Sequence, residues 1–263
     1  MIREATAKDS GIIVKILKNG FPENILPYTI YFSRNYKDYI SDLILLKESK
    51  VNTRFYVCEK DYNIVGFAEI RQFADALFLN NIYMAAHQRG KGLGKELLKK
   101  SILMARDNNQ QAISLDVFSD NLKAIKWYMS LDLKCRYKQL WILYLLELDA
   151  LENIDSAWWK FIDLNEGNKL HKLYGFSRFI VQTRLKGYSV GRIADTCFKT
   201  SDDSILHDKL ALSALYFLDK KRKLLIISKE KRYEKENVIE KGEIIASSLR
   251  LSGNVDTLLN RLE

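Results

Sequence analysis

The chain is poor in the residues that staple small secreted proteins or hold metals. It has three cysteines in 263 residues, Cys58, Cys135 and Cys197, set far apart with no Cys-x-x-Cys pair. An odd number at such spacing suggests neither a disulfide framework nor a zinc site, so buried or incidental thiols are expected. The three histidines, His87, His171 and His207, lack metal-ligand spacing. Surface or structural roles are expected for them, and no metal for the chain. The only two prolines, Pro22 and Pro27, break the chain once near its start. Long apolar runs are missing too, since the longest, Leu140 to Leu146, falls far below the ~20 residues of a membrane span. The opening residues Met1-Ile2-Arg3-Glu4-Ala5 lack the apolar core of a secretory signal. A cytoplasmic protein without a membrane partner is therefore the expectation.

What is present is a hydrophobic share of 47%, enough for a substantial core in one large domain or two small ones. The net charge of +9 suits an anionic ligand but does not by itself indicate nucleic acid. The most informative stretch runs from Asn80 through Leu98, an apolar strand leading through a glycine turn into a helix. Gly90, Gly92 and Gly94 remove side chains where backbone must come close to a ligand, and the loop amides can converge on one anion. The helix from about Leu93 to Arg106 points its positive end at the same place, and Arg89, Lys91 and Lys95 add full charges. A diphosphate fits such a loop.

Spacing separates this loop from two others. A Walker A loop needs Ser or Thr after the lysine that follows its last glycine, but Gly94 is followed by Lys95-Glu96. A Rossmann loop needs Gly-x-Gly-x-x-Gly after the first strand, whereas the pattern here is Gly-x-Gly-x-Gly with several strands before it. The run Arg89-x-x-Gly92-x-Gly94 resembles motif A of the Gcn5-related N-acetyltransferase (GNAT) superfamily, whose loop holds the pyrophosphate of acyl-coenzyme A. A second segment strengthens the resemblance: the strand Ile113 to Val117, then a helix opening at Asn121 and carrying Ala124 and Tyr128.

The resemblance implies an α/β GNAT fold over residues 1–148, with a mixed central sheet and splayed fourth and fifth strands. It implies acetyl-coenzyme A as co-substrate, bound by Arg89, Gly90, Lys91, Gly92, Leu93, Gly94 and Lys95. The backbone of Tyr83 and Met84 would pair with the pantetheine amides, and Asn121 would bind the same arm. Tyr128 would serve the departing thiolate. Where the family often has a glutamate base on the fourth strand, this chain has Asn80. Glu69 on the neighbouring strand is the best carboxylate within reach, with an ordinary edge or surface Glu as the alternative. Asn80 or Tyr83 ordering a water is the other solution, and it suits an amine of low pKa. Leu131-Asp132-Leu133 departs from the Gly-Phe usual before the sixth strand, and the run Cys135 to Leu148 shows no turn dividing it into two strands.

Taken in order, Ile2 to Ala5 should be the first strand, followed by a helix through Ile12, Ile13, Ile16 and Leu17. Tyr31 to Leu46 reads as a second helix whose tyrosines either pack or contact substrate. Arg54 to Glu59 and Ile64 to Phe73 form a hairpin around Lys60-Asp61-Tyr62-Asn63, and Leu77 to Met84 is the fourth strand.

Residues 149–263 should form a smaller α/β domain. After a polar helical connection with Trp158 and Trp159, a hairpin (Phe179 to Val181, Tyr188 to Ala194) turns at Lys186-Gly187. A helix Ser204 to Leu218 and strands Leu224 to Ile227 and Ile244 to Leu251 follow. The order repeats that of Phe55 to Val117 and suggests a partial, degenerate second copy. It lacks a glycine loop, because Thr200 to Ser204 stands in its place with Asp202 and Asp203 repelling a pyrophosphate. Completing the acceptor pocket or a homodimer contact is its expected role. A helix-turn-helix reading of Gly187 to Ile205, with the basic run Lys220 to Lys223, Lys229, Lys231 and Arg232, is weakened by Glu230, Glu234 and Glu236, which interleave with the charges.

The activity implied is transfer of an acetyl or other acyl group to the primary amine of a small molecule. The rivals are a protein or peptide N-acetyltransferase and a non-catalytic acyl-coenzyme A sensor joined to a binding module.

Overall fold

The computed structural model describes residues 1–46, 52–107, 109–146, 158–230 and 242–263. In chain order these form β1 (Ile2–Glu4), α1 (Ser10–Gly20), α2 (Tyr36–Leu45), β2 (Thr53–Lys60), β3 (Asn63–Gln72), β4 (Ala76–Met84), α3 (Leu93–Ala105), β5 (Ala112–Phe118), α4 (Leu122–Ser130) and β6 (Lys134–Tyr144). They continue with β7 (Lys160–Ile162), α5 (Leu164–Tyr174), β8 (Phe176–Gln182), β9 (Gly187–Ile193), β10 (Cys197–Thr200), α6 (Lys209–Leu218), β11 (Lys223–Lys229), β12 (Gly242–Asn254) and α7 (Val255–Arg261). No described helix is long and apolar enough to cross a membrane.

The chain divides into two units, and neither is contiguous. The first holds Met1–Pro22, Lys37–Lys138 and Ser248–Glu263, and the second holds Glu23–Tyr36 and Gln139–Ser247. The boundary expected between residues 148 and 149 lies outside the described residues, as do Asn108, residues 149–157 of the connection, and Lys231, Arg232, Glu234 and Glu236.

In the first unit the sheet order is β1-β2-β3-β4-β5-β12-β6. β4 and β5, joined through α3, run parallel, while β1/β2, β2/β3, β3/β4 and β5/β12 are antiparallel. The expected β2/β3 hairpin closes through Asp61 and Tyr62, both left-handed at φ 50° and 60°, the geometry a two-residue turn needs to match strand twist. Alternation sends Ala68 and Ile70 of β3, Leu77 and Leu79 of β4, Ile113, Leu115 and Val117 of β5 and Leu251 of β12 to one face. There they pack on Leu97, Leu98 and Ile102 of α3, Ile125 and Tyr128 of α4, and Val255 and Leu258 of α7. The opposite face carries Phe67, whose ring stacks on Tyr83 at 5.9 Å, and α1 packs against β3 and β4.

The second unit has the sheet order β12-β6-β11-β10-β9-β8-β7, with β10 and β11 parallel and joined through α6. Its core is built from Phe179 and Val181 of β8, Tyr188 and Val190 of β9, Phe198, Leu224 and Ile226, packed on Ala211, Ala214 and Leu215 of α6. Strand for strand this is the first unit's arrangement: β7 to β11 repeat β1 to β5, including the one parallel pair spanned by a helix. In each unit the place beside the last of those five strands is filled by a distant part of the chain. Ser248–Asn254 of β12 lies against β5, and Gln139–Tyr144 of β6 lies against β11. This explains the missing turn after Cys135: β6 does not fold back on itself, because its second half belongs to the other unit's sheet.

Several expectations change. Tyr31 to Leu46 is not one helix but a short turn at Ile30–Phe32 followed by α2, divided where Ser33 leaves helical geometry and its hydroxyl donates to the Gly175 carbonyl. Ser204 to Leu218 is broken at Asp208, whose backbone is extended and whose carboxylate caps α6. Gly187 to Ile193 is a strand rather than a helix, which removes the helix-turn-helix reading among the described residues. The strands β7 and β10 and the helix α7 were not anticipated, while α5 falls in the connection expected to be helical, beginning after Trp158 and Trp159.

Candidate active site

The parallel pair β4/β5 holds its register only from Ala76↔Ala112 to Leu79↔Leu115. Beyond that rung β4 continues to Met84 and β5 to Phe118 without meeting. Each finds its partner on the other side, β4 on β3 out to Gly66↔Met84 and β5 on β12 out to Ser248↔Phe118. The two strands are thus opened at the end that leads into the glycine loop, as expected. The register between β3 and β4 slips at the same level: Ile70 pairs with Leu79 and Glu69 with Asn81, which leaves Asn80 as the extra residue of a bulge.

From Met84 the chain runs into α3 through the glycine loop. Gly90 and Gly92 sit at φ 77° and 78°, a region open to glycine and strained for a β-branched residue. A Cβ at either position would meet nothing within 4 Å, so protein packing is not what keeps them glycine. Gly92 is the N-cap of α3 and no side chain caps that helix. The first helical bonds come from the amides of Lys95 and Glu96 to the Gly92 carbonyl, and the amides before them point out of the helix start. Arg89 is exposed and its Nε donates to the Met84 carbonyl at 3.0 Å, while Lys91 Nζ donates to Gln88 at 3.3 Å. Loop, helix start and opened strands are therefore contiguous.

The remaining sequence-selected residues divide between the two faces of the sheet. Tyr128 lies on the α3 side, buried among apolar neighbours, with the Trp127 ring centred 5.0 Å away. That burial pushes its phenol well above the usual range, so it stays a protonated donor at neutral pH. Asn121 caps α4, its side-chain carbonyl accepting from the Ala124 amide at 3.1 Å. Glu69 lies on the opposite face, since its neighbours Ala68 and Ile70 both point to the α3 core. It is buried, not an edge glutamate: it accepts from Asn81 Nδ2 at 2.7 Å and pairs with Arg71 at 3.4 Å. Burial raises the nearby Tyr39 phenol of α2, with Arg71 lowering it and Glu69 raising it further. The bulge thus places Asn81 opposite Glu69 and in hydrogen-bond contact with it, which sequence spacing missed.

The corresponding place in the second unit is built differently. All four residues of β10 pair with β11, from Cys197↔Lys223 to Thr200↔Ile226, and β10 ends there. The start of α6 is already occupied, because the buried Asp208 carboxylate accepts from the amides of Leu210 and Ala211 and from Thr183 Oγ1 at 2.6 Å. A fixed internal anion stands where the first unit presents an uncapped helix.

Residues 17–132 match the model of the acetyltransferase (GNAT) family. That stretch is a GNAT acetyltransferase domain. Among solved structures, a tandem GNAT protein from the clavulanic acid biosynthesis pathway superposes with TM-score 0.65 at 10% identity, over 97% of this chain and 98% of its own. A putative acetyltransferase from Pyrococcus horikoshii gives 0.63 at 14% identity, covering 97% and 89%. A GCN5-related N-acetyltransferase from Kribbella flavida gives 0.56 at 10%, covering 97% and 71%. These likenesses extend the GNAT fold across nearly the whole chain, in agreement with the repeated strand order of the two units.

Proposed function

We propose that the chain is an acyl-coenzyme A dependent N-acyltransferase that passes an acetyl group directly to the primary amine of a small molecule. The observation that carries this reading is the joining, in one unit, of the opened β4/β5 pair to an uncapped, glycine-started helix. The amides of Gly90 to Gly94 with Arg89, Lys91 and Lys95 would hold the pyrophosphate. The backbone of Tyr83 and Met84 would hold the pantetheine amides in the opening, with Asn121 binding the same arm through its side-chain amide. The coenzyme, when bound, supplies an activated thioester. The chain supplies proton management on either side of it. An ammonium of pKa ~10.4 must lose its proton at a cost of about 4.6 kcal/mol at pH 7, and Glu69, oriented by Asn81, is the base assigned to that face. Tyr128 on the other face serves the thiolate.

Calorimetry with acetyl-coenzyme A tests this. Wild type should bind one equivalent per chain, because in the second unit Asp208 already takes the amides at the start of α6. Gly92→Val should abolish binding with an unchanged circular dichroism spectrum, while Gly92→Asn, which tolerates φ above zero, should keep much of it. Two sites per chain, or undiminished affinity in Gly92→Val, would defeat the reading.

Glu69→Gln keeps an acceptor for Asn81 and removes the base. Its kcat/KM should fall by about 10²-fold at pH 7. That deficit should shrink as pH approaches the amine's own pKa and neutral amine becomes abundant. A loss constant across pH would make Glu69 structural.

A further inference from the structure

On the face that carries Glu69, alternation along β4, β5 and β12 also places Phe78, Asp116 and Arg250, because Leu77, Leu79, Leu115, Val117 and Leu251 all turn to the α3 core. Arg250 and Asp116 are direct cross-strand partners. Arg250 Nε donates to Asp116 Oδ1 at 2.5 Å and Nη2 donates to Oδ2 at 2.8 Å, so the carboxylate holds one edge of the guanidinium in a two-pronged grip. The guanidinium then reaches across β5 to lie 4.9 Å from the Phe78 ring on β4, with the Tyr137 ring 5.7 Å away. This fixes its place in the fold. Phe78 pairs with Ser114 one rung before β4 and β5 part, and Asp116 is the first residue of β5 beyond the last shared rung.

A strand-tying ion pair would serve anywhere along β5 and β12, yet this one stands at the mouth of the opening. It is not sealed off, for the two side chains keep 27% and 34% of their exposure. Asp116 has both oxygens engaged and is spent as an orienting group, whereas a guanidinium has five N–H donors and this grip uses one edge. Two residues further along β12, Ser252 accepts from Arg136 Nε at 2.5 Å. The arginine at position 250 is already ordered by a carboxylate and two rings.

We propose that Arg250 selects acceptor amines that carry an anionic carboxylate or phosphate, holding that group at the mouth of the β4/β5 opening while the amine meets Glu69. This rests on the acyltransferase reading and names its substrate class. It also gives the C-terminal strand a part in the first unit's site, since Arg250 reaches it only because β12 lies against β5.

The test uses two matched pairs of amines with saturating acetyl-coenzyme A: 4-aminobutyrate against butylamine, and phosphoethanolamine against ethanolamine. In wild type the anionic member of at least one pair should have the higher kcat/KM, and which pair shows it tells carboxylate from phosphate. In Arg250→Gln that preference should drop about 10–100-fold, mainly through KM, with acetyl-coenzyme A affinity unchanged by calorimetry. Arg250→Lys restores charge without the fork and should recover only part of the preference. A structural role for Arg250 would instead lower both members of a pair alike, and that result overturns the proposal. So does a wild type that favours the neutral amine in both pairs, or that turns over neither anionic amine. A wild type that binds no acetyl-coenzyme A overturns the acyltransferase reading itself, which separates the two failures.

Discussion

A chain ending at residue 148 is expected not to form a stable first unit, although that is where the amino-acid sequence places the end of the domain. Such a chain lacks Ser248–Asn254, which pair with β5 along its whole length from Phe118 to Ala112. It also lacks Leu251, Val255, Leu258 and Leu262, which are 0%, 0%, 1% and 3% exposed in the core under α3. Burial of each such side chain is worth roughly 1.5–3 kcal/mol, so the loss is roughly 6–12 kcal/mol. A whole domain commonly has ~5–15 kcal/mol to spend. The Arg106–Asp256 and Arg250–Asp116 ion pairs go as well, and β5 is left as a bare edge, which invites association. The expected observation is a protein without a cooperative melt that aggregates on size-exclusion chromatography. Adding a peptide of residues 242–263 should restore solubility in part, by filling the vacated place. A monomeric, cooperatively melting 1–148 that binds acetyl-coenzyme A would show that β12 and α7 are dispensable to the unit.

The same exchange marks the limit of what the amino-acid sequence reveals. Local signals carried the first unit well. Period-two alternation in Ile64 to Phe73 and Leu77 to Met84, the turn at Asp61-Tyr62 and the glycine-started helix each depend on neighbours a few residues apart, and each formed where expected. Alternation says that a strand has one apolar face, but not which strand lies beside it. The partnership of Leu249 with Val117 is therefore invisible until the sheet is built. β10 is four residues long, too short to display a period. Asp208 interrupts an apolar run that otherwise reads as one helix, and its carboxylate caps α6. A bulge is equally silent. One extra residue at Asn80 moved Asn81, and not Asn80, opposite Glu69, since a slip of one residue exchanges the faces of a strand.

Tyr128→Phe should separate chemistry from binding. The residue is 7% exposed and sits in the apolar core with Ile125, Leu131 and Leu133, so removing only the hydroxyl keeps the ring that the core is packed around. Circular dichroism, the melting temperature and the affinity for acetyl-coenzyme A should hardly change. Turnover should fall by ~10²–10⁴-fold in kcat, because the lost interaction forms mainly as negative charge develops on sulfur. The size of the drop also speaks to mechanism. From ordinary values of ~10 for a phenol and ~8.5 for a thiol, full proton transfer is uphill by about 2 kcal/mol, and burial pushes the Tyr128 phenol higher still. On the proposed mechanism Tyr128 would donate a hydrogen bond to the thiolate, and the proton itself would come from water or from the attacking amine. Because the raised phenol remains protonated past neutral pH, the wild-type rate should show no alkaline decline from this group between pH 7 and pH 9. The Phe variant should keep the wild-type pH profile at a uniformly lower level. Turnover equal to wild type would reduce the phenol to packing, and a loss confined to alkaline pH would make it a titrating acid instead of a fixed donor.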